Sequence, residues 1–197
     1  MKLQLRGREQ VSLLFFVERG VFMKASELIA RINDLADETE SPNNVLGYIN
    51  DAIAKINIEL NSGFPSLDLA NDTSPAFPEQ WQHALIIPFS VGRIKQKDSS
   101  QFEYTDAYAQ FLVDLMELKT KYVVPDRYKL LSPGIELTLP DSSKYEVEWG
   151  DTLQSVADAN NTTVSTLKTD NEDVIEYFTE NNTSNILENV PFGYAGW

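Results

Sequence analysis

Hydrophobic side chains recur at intervals of three and four residues along the first part of the chain, which is the spacing of amphipathic helices. The first run begins after Ser26, which is predicted to cap a helix. The second ends near Gly63. A polar turn at residues 37–44 separates the two runs, and this predicts a helical hairpin. The apolar positions are Leu28, Ile29, Ile32 and Leu35 in the first helix and Val45, Leu46, Ile49, Ala52, Ile53, Ile56 and Leu60 in the second.

A loop rich in proline, serine, asparagine and aspartate follows at residues 64–77. Because it is longer than an ordinary connection, it is predicted to be functional or to lie over a neighbouring molecule. A third helix is predicted over residues 79–97, with a kink at Pro88.

The fourth helix is predicted to start at a cap formed by Ser99 or Ser100 and to run to Tyr122. Its expected inward positions are Phe102, Ala109, Leu112, Val113 and Met116, with Tyr104, Tyr108 and Phe111 adding aromatic bulk. The pattern therefore predicts a mainly α fold, in which a bundle of about four helices occupies residues 23–127.

Beyond residue 128, hydrophobic residues recur at every second position. Ile135, Leu137 and Leu139 alternate with polar residues, and a polar turn at residues 140–144 leads to a second alternating segment at residues 145–149. These features predict an antiparallel β-hairpin.

Two short helices are predicted after the hairpin. Gly150 allows a sharp exit from the second strand, and Asp151 or Thr152 can cap the first helix. Thr163 begins the second helix. The predicted core positions of the two helices are Leu153, Val156, Ala157, Val164 and Leu167.

The residues 145–153, Tyr-Glu-Val-Glu-Trp-Gly-Asp-Thr-Leu, together with residues 163–167 and Asn171, resemble a LysM module. In that family the strand that closes the module usually comes last, whereas here the similar segment at residues 131–140 comes first. We interpret residues 128–178 as a small α+β LysM-like domain that is circularly permuted, because permutation is tolerated where natural termini lie close together. Alternatively, residues 131–140 are the remnant of an upstream repeat, and residues 186–190 supply the closing strand.

The LysM resemblance implies a shallow groove for N-acetylglucosamine polymers, with Gly150, Asp151, Thr152 and Leu153 as one wall. A turn, a helix cap and a core position explain the same four residues without a ligand. LysM-like folds also occur in phage tails and baseplates as protein-contact modules.

The helical half of the chain resembles the head-to-tail adaptor proteins of tailed bacteriophages, also called head completion or connector proteins, which form a ring under the portal. The resemblance lies in the order and rhythm of the helices. It rests on Met23-Lys-Ala-Ser-Glu-Leu-Ile-Ala-Arg-Ile, Val45-Leu-Gly-Tyr-Ile-Asn-Asp-Ala-Ile, Phe77-Pro-Glu-Gln-Trp-Gln-His-Ala-Leu-Ile and the segment from Tyr104 to Leu118. The alternative is an unrelated helical domain with the same spacing.

The adaptor resemblance implies a structural virion protein in the neck between head and tail, made in the host cytoplasm. Its expected partners are further copies of itself in a ring, expected to be a dodecamer, the portal protein, and the tail or stopper protein. The alternative function is a cell-wall protein whose LysM-like domain binds peptidoglycan.

Composition narrows the classes of function. The chain has no cysteine and a single histidine, so no thiolate metal site or catalytic triad is predicted, and we expect neither an enzyme nor a cofactor. A net charge of −14 opposes contact with phosphate groups. Double-stranded DNA is therefore expected to pass through the ring without specific binding, and no membrane partner is expected.

Both ends of the chain carry separate predictions. Residues 1–22 form an extension in which Glu18-Arg19-Gly20 can be encoded by a purine-rich stretch similar to a ribosome-binding site, so translation is predicted to start at Met23. Residues 179–197 form a tail with Phe192, Tyr194 and Trp197. Apolar anchors of this kind fill pockets on partners, so the tail is predicted to dock on the portal or an adjacent subunit. The alternative is that it folds back on the LysM-like domain.

Overall fold

The structure is a computed structural model that describes residues 23–97 and 101–178, with the backbone alone for residues 101–104. The described chain is mainly helical with a small two-stranded antiparallel sheet, which confirms the predicted fold class at this level. Several predictions lie outside the described residues. They concern the extension at residues 1–22, the caps Ser99 and Ser100, the side chains of Phe102 and Tyr104, the strand at residues 186–190, and the tail residues Phe192, Tyr194 and Trp197.

The first part contains the helices α1 (Ala25–Ala36), α2 (Pro42–Leu60) and α5 (Gln101–Lys121). Between α2 and α5 lies one continuous helix, made of α3 (Glu79–Trp81), a π turn (Gln82–Ile86) and α4 (Ile87–Lys97). A 3-10 turn (Asp126–Tyr128) leads into the second part, which contains the strands β1 (Glu136–Thr138) and β2 (Lys144–Glu146) and the helices α6 (Leu153–Ala159) and α7 (Val164–Asp170).

Two clusters of buried apolar residues stabilise the chain. The first joins α1, α2, α4, α5 and the loop after α2, and the second joins the hairpin to α6 and α7. Tyr128 packs against the first cluster, and the division after residue 127 stays a prediction. In α1 and α2 the predicted stripes are buried or half-buried, except that Leu35 is exposed and Ala36 is buried in its place.

The start of α1 differs from the prediction because Ser26 lies inside the helix and Lys24 is its N-cap. The Glu27 carboxylate accepts a hydrogen bond from the Lys24 N–H at 2.9 Å. Asp72, from the loop after α2, accepts hydrogen bonds from the Ser26 N–H at 2.9 Å and from its hydroxyl at 3.1 Å. Carboxylates from two places therefore satisfy backbone N–H groups at the start of the helix.

The loop at residues 64–77 folds onto its own chain. The Asn50 amide pairs with both backbone groups of Leu67, accepting from its N–H at 2.8 Å and donating to its carbonyl at 3.2 Å. The Asn57 amide pairs in the same way with the backbone of Phe64, at 2.9 Å for both bonds. Two asparagines one heptad apart on α2 thus hold the loop against the helices, and its backbone needs no neighbouring molecule to satisfy these groups.

The third predicted helix runs without interruption through Pro88, from Glu79 to Lys97. Its departure from α geometry lies in the π turn Gln82–Ile86, directly before the proline, where the Ile87 N–H donates to the Gln82 carbonyl. The buried Gln82 side chain donates to the Phe77 carbonyl at 3.0 Å and so ties the end of the loop to this turn.

The predicted inward face of α5 is wrong, because the helix turns a different face toward the core. Phe111, Leu115 and Leu118 are buried, whereas Ala109, Leu112, Val113 and Met116 are exposed. Both faces of this helix are apolar, so the hydrophobic pattern does not determine which one turns inward. The aromatic residues determine it, because Phe111 packs against Phe89 of α4 with ring centres 4.9 Å apart.

In the second part, β1 pairs with β2 as predicted, with Leu137 opposite Tyr145. Thr152 and Thr163 cap α6 and α7, each accepting a hydrogen bond from an N–H three residues later. Trp149 lies in a turn rather than in the strand and is exposed; its ring contacts Phe178 edge-on, with centres 4.9 Å apart.

Asn171 joins α7 to the hairpin. Its buried amide accepts from the Thr138 N–H at 2.6 Å and donates to the Thr138 carbonyl at 2.9 Å, and it also donates to the carbonyl of Leu167. This side chain completes the edge of β1 in place of a third strand.

The two parts meet at a close backbone contact. Leu130 forms a β-bridge with Thr152, and Lys129 forms one with Ser62, so the segment after the 3-10 turn touches both parts. Gly63 lies against Thr152 so closely that a Cβ atom on residue 63 would be 2.6 Å from the Thr152 methyl group. Only glycine fits at residue 63 without a shift of the contact between the two parts.

We expect Gly63→Ala to lower the free energy of unfolding by about 1–3 kcal/mol, because the added methyl overlaps a group that cannot rotate away. The hydroxyl of the buried Thr152 accepts from the Ser155 N–H at 3.1 Å, which fixes its rotamer. Urea unfolding monitored by circular dichroism measures the change.

Gly47→Ala is the matched control. A Cβ at this position of α2 meets no atom within 4 Å, so the substitution should stabilise the helix slightly. In the Gly63→Ala background, Thr152→Ser removes the methyl and keeps the capping hydroxyl, and it should restore most of the loss. Absence of this rescue would contradict the proposed contact.

Candidate interaction sites

The four residues predicted to line a glycan groove are divided between surface and interior. Gly150 is exposed and has a φ of +99°, so it serves the turn that the sequence predicted. Thr152 and Leu153 are buried, the former at the joint with Gly63 and the latter in the second apolar cluster. Among these four residues, only Asp151 has a polar side chain that is not buried.

The Asp151 carboxylate is already engaged within the turn. One oxygen accepts from the Tyr145 hydroxyl at 2.8 Å and from the Glu148 N–H at 2.9 Å. Burial, followed by this hydrogen bond, raises the pKa of Tyr145 to about 12, so its hydroxyl stays protonated and donates at neutral pH. The turn is thus satisfied internally, without a ligand.

A different surface stands out on α5. The side chains of Leu112, Val113 and Met116 have exposed fractions of 43%, 60% and 72%. Large apolar side chains grouped on one exposed helix face indicate a protein–protein contact, because single exposed apolar residues are common but groups of them are not.

This apolar face continues across the seam between α5 and α2. The seam is marked by the pair Glu59–Lys119 at 3.5 Å and by Lys55, whose ammonium lies 5.7 Å from the centre of the Tyr108 ring. Helical spacing places Leu112 and Met116 beside Tyr108 and Lys119, and Ile58, 73% exposed, beside Lys55. We call Ile58, Leu112, Val113 and Met116 the α5 patch.

A groove of about 1090 Å³ lies elsewhere on the helical part, between the loop after α2, the start of α3 and the segment that follows α5. Four prolines and three aromatic residues line it together with several polar residues, and its charged groups include Glu79 and Arg127. A concave surface that combines apolar side chains with polar groups can serve as a ligand or peptide site.

An ion pair connects the 3-10 turn to α7. The Asp126 carboxylate accepts from Lys168 at 2.6 Å and from Lys129 at 2.9 Å. The hydrogen bond from Lys168, followed by that from Lys129, lowers the pKa of the Asp126 carboxyl below its usual range. The pair therefore links the two parts of the chain beside the contact of Gly63 with Thr152.

No known protein family matches the chain, and neither a curated protein nor a solved structure is significantly similar to it. Among the residues that the structure describes, no group of three or more histidine or acidic side chains is arranged to hold a metal ion. Within the same residues, no helix combines the length and the hydrophobicity needed to cross a bilayer.

The residues that hold these surfaces in place have only weak signals in the sequence. Asn50 and Asn57 lie outside the hydrophobic pattern of α2, although asparagine is a poor helix former and a pair seven residues apart indicates a shared role. The sequence predicts the end of α2 near Gly63, whereas Asn61 adopts the left-handed conformation there. Arg127 carried no signal in the sequence, since only the fold brings it into a groove.

We expect Asp126→Asn to lower the free energy of unfolding at pH 7 by about 0.5–1 kcal/mol, a modest value because both partners of the ion pair are half-exposed and screened. A carboxyl whose pKa is lowered in the folded state stabilises it above the unfolded pKa of about 3.9 and loses that effect as the pH falls through the folded value. The difference from wild type should thus shrink as the pH falls below the unfolded value.

Urea unfolding at several pH values provides the measurement. Asp51→Asn is the control, because Asp51 is an exposed residue of α2 and its substitution should change stability little at any pH. A loss in Asp126→Asn that is the same at pH 3 and pH 7 would exclude the ionic contribution.

Proposed function

We propose that the protein is a head-to-tail adaptor of a tailed bacteriophage. In this proposal, copies of the chain, expected to be twelve, form a ring between the portal and the tail or stopper protein. The ring extends the channel through which DNA is retained and ejected. The observation that best supports the proposal is the α5 patch, because a helix with one apolar face in the core and a second at the surface needs a partner.

A ring places specific demands on such a surface. Cyclic assemblies of more than two subunits use heterologous contacts, in which one patch meets a different patch on the next copy. The α5 patch lies on the seam between α2 and α5, which the first apolar cluster joins, so it is carried by a packed part of the fold. Rigid, preorganised surfaces lose little conformational entropy on association.

The charge of the chain agrees with a channel protein that does not bind DNA. At a net charge of −14, a ring of these subunits presents a negative surface to the phosphate backbone. Repulsion of this kind lets a genome slide without stopping at particular sequences.

The proposal includes a bundle of about four helices and a circularly permuted LysM-like domain. The antiparallel β1–β2 pair, the Thr152 cap and the Asn171 amide support a compact unit in which the closing strand precedes the opening one. We assign to this unit a role in protein contact. The alternative, peptidoglycan binding, is weakened by the burial of Thr152 and Leu153, since half of the predicted wall faces the interior.

Native mass spectrometry of the full chain, alone and mixed with its cognate portal protein, tests the assembly. We expect closed rings that bind the portal. A pull-down with purified peptidoglycan is run in parallel. A chain that stays monomeric with the portal at every concentration, or that sediments with cell walls, would refute the adaptor assignment.

We expect Met116→Glu to prevent ring formation and to leave the melting temperature of the monomer unchanged. Burying an unpaired carboxylate in a subunit contact costs several kcal/mol, so association should weaken at least about tenfold. In the monomer Met116 is 72% exposed and contributes little to the core. Size-exclusion chromatography with light scattering measures the oligomer.

Ala30→Glu is the matched control, because it places the same charge at an exposed position in the middle of α1, away from the α5 patch. Equal loss of assembly in both variants would point to a general effect of charge and not to the patch.

A further inference from the structure

The groove on the helical part combines three features that the adaptor proposal leaves unused. It holds about 1090 Å³, four prolines and three aromatic residues are among the residues that line it, and Arg127 lines it as well. Among the residues that line it are Pro65, Pro78, Tyr122, Arg127 and Tyr128. Grooves lined by aromatic and proline side chains accept extended peptide segments.

Arg127 gives the groove a charge preference. Its guanidinium lies over the Tyr128 ring, 5.4 Å from the centre, and within the described ranges no carboxylate forms an ion pair with it. The neighbouring lysines 129 and 168, in contrast, both pair with Asp126. An arginine without an acidic partner is notable in a chain that carries thirty acidic residues and sixteen basic ones. The Arg127 guanidinium therefore favours a ligand that carries a carboxylate.

Tyr122 places an aromatic hydroxyl in the same wall. Burial raises the pKa of Tyr122, the nearby Tyr128 adds to this effect, and Arg127 opposes it. All three side chains line the groove, in which an aromatic ring can pack and a carboxylate can meet the guanidinium.

The described chain ends next to this groove. The Phe178 N–H donates to the Leu130 carbonyl at 2.8 Å, and Tyr177 forms a β-bridge with Leu131. Leu130 is only three residues from Arg127. The twelve residues 179–190 can span up to about 40 Å, so residues 191–197 can reach the groove of their own chain with length to spare.

We propose that the groove binds residues 188–197 of the same chain, so that Phe192, Tyr194 and Trp197 contact its proline and aromatic residues and Glu188 pairs with Arg127. The segment supplies what the groove requires: three aromatic anchors, a proline and a carboxylate close by in sequence. A tethered segment is present at a local concentration in the millimolar range, which favours this occupant over a free one.

The consequence for assembly is a self-contact in the free protein. A portal or neighbouring subunit that takes up the tail has to displace it from the groove, so the aromatic anchors are covered before assembly. The inference does not depend on the adaptor assignment, because it concerns the monomer alone.

Cysteine cross-linking tests the proposal in the full chain, which contains no natural cysteine. The test pair is Ser66→Cys, at an exposed residue of the groove, with Ala195→Cys in the tail. The comparison pair is Asp158→Cys, at an exposed residue of α6, with Ala195→Cys. The rate of intramolecular disulfide formation under mild oxidation is measured in the dilute monomer by non-reducing electrophoresis and peptide mass spectrometry.

We expect the pair at 66 and 195 to cross-link at least about tenfold faster than the pair at 158 and 195, because docking raises the local concentration of one thiol beside the other. Arg127→Glu should remove this advantage, and adding Glu188→Lys to it should restore the advantage by reversing both charges. Unchanged circular dichroism and melting temperature in the single-cysteine variants show that the fold is intact.

Three results would overturn the proposal. Equal rates for the two pairs exclude a preference for the groove. A faster reaction at position 158 places the tail on the second part of the chain. A product that is mainly a cross-linked dimer assigns the groove to the tail of a second copy. Failure of the charge swap would remove the pairing of Arg127 with Glu188.

Discussion

The close approach of Gly63 to Thr152 is the constraint on which the arrangement of the whole chain depends. The Thr152 methyl fills the space that a side chain at residue 63 would occupy, and its hydroxyl caps α6. Thr152 also bridges to Leu130, which follows the 3-10 turn. One residue therefore fixes the start of a helix, the path of the connecting segment and the distance between the two parts. A longer side chain at either position would change all three together.

Asparagine amides have a corresponding role within each part. Asn50 and Asn57 pair with backbone groups of Leu67 and Phe64, and Asn171 pairs with those of Thr138. An amide offers a donor and an acceptor side by side, which matches the N–H and C=O of an extended residue. In this fold, side chains on helices therefore satisfy loop and strand edges that a larger sheet would otherwise pair. The loop after α2 is ordered by this means, and it forms one wall of the groove.

The existence and order of the helices and the hairpin could be predicted from the sequence, because hydrophobic period and cap residues are local properties. Thr152 and Thr163 cap their helices as predicted. The inward face of α5 could not be predicted, since Leu112 and Phe111 are both apolar and only the position of α4 distinguishes them. The groove is likewise formed by segments about fifty residues apart, which no local pattern brings together.

Charge and apolar contact act against each other in any assembly of this chain. Subunits with a net charge of −14 repel one another, and screening reduces this repulsion beyond about 10 Å at moderate salt. Association must then come from short-range burial, which the α5 patch can supply and an acidic surface cannot. Lys55 and Lys119 border the patch and lower the local negative charge where copies would approach. The same sequence thus favours repulsion at long range and leaves short-range association to a defined apolar face, which the proposed ring would use as one of its two different contact surfaces.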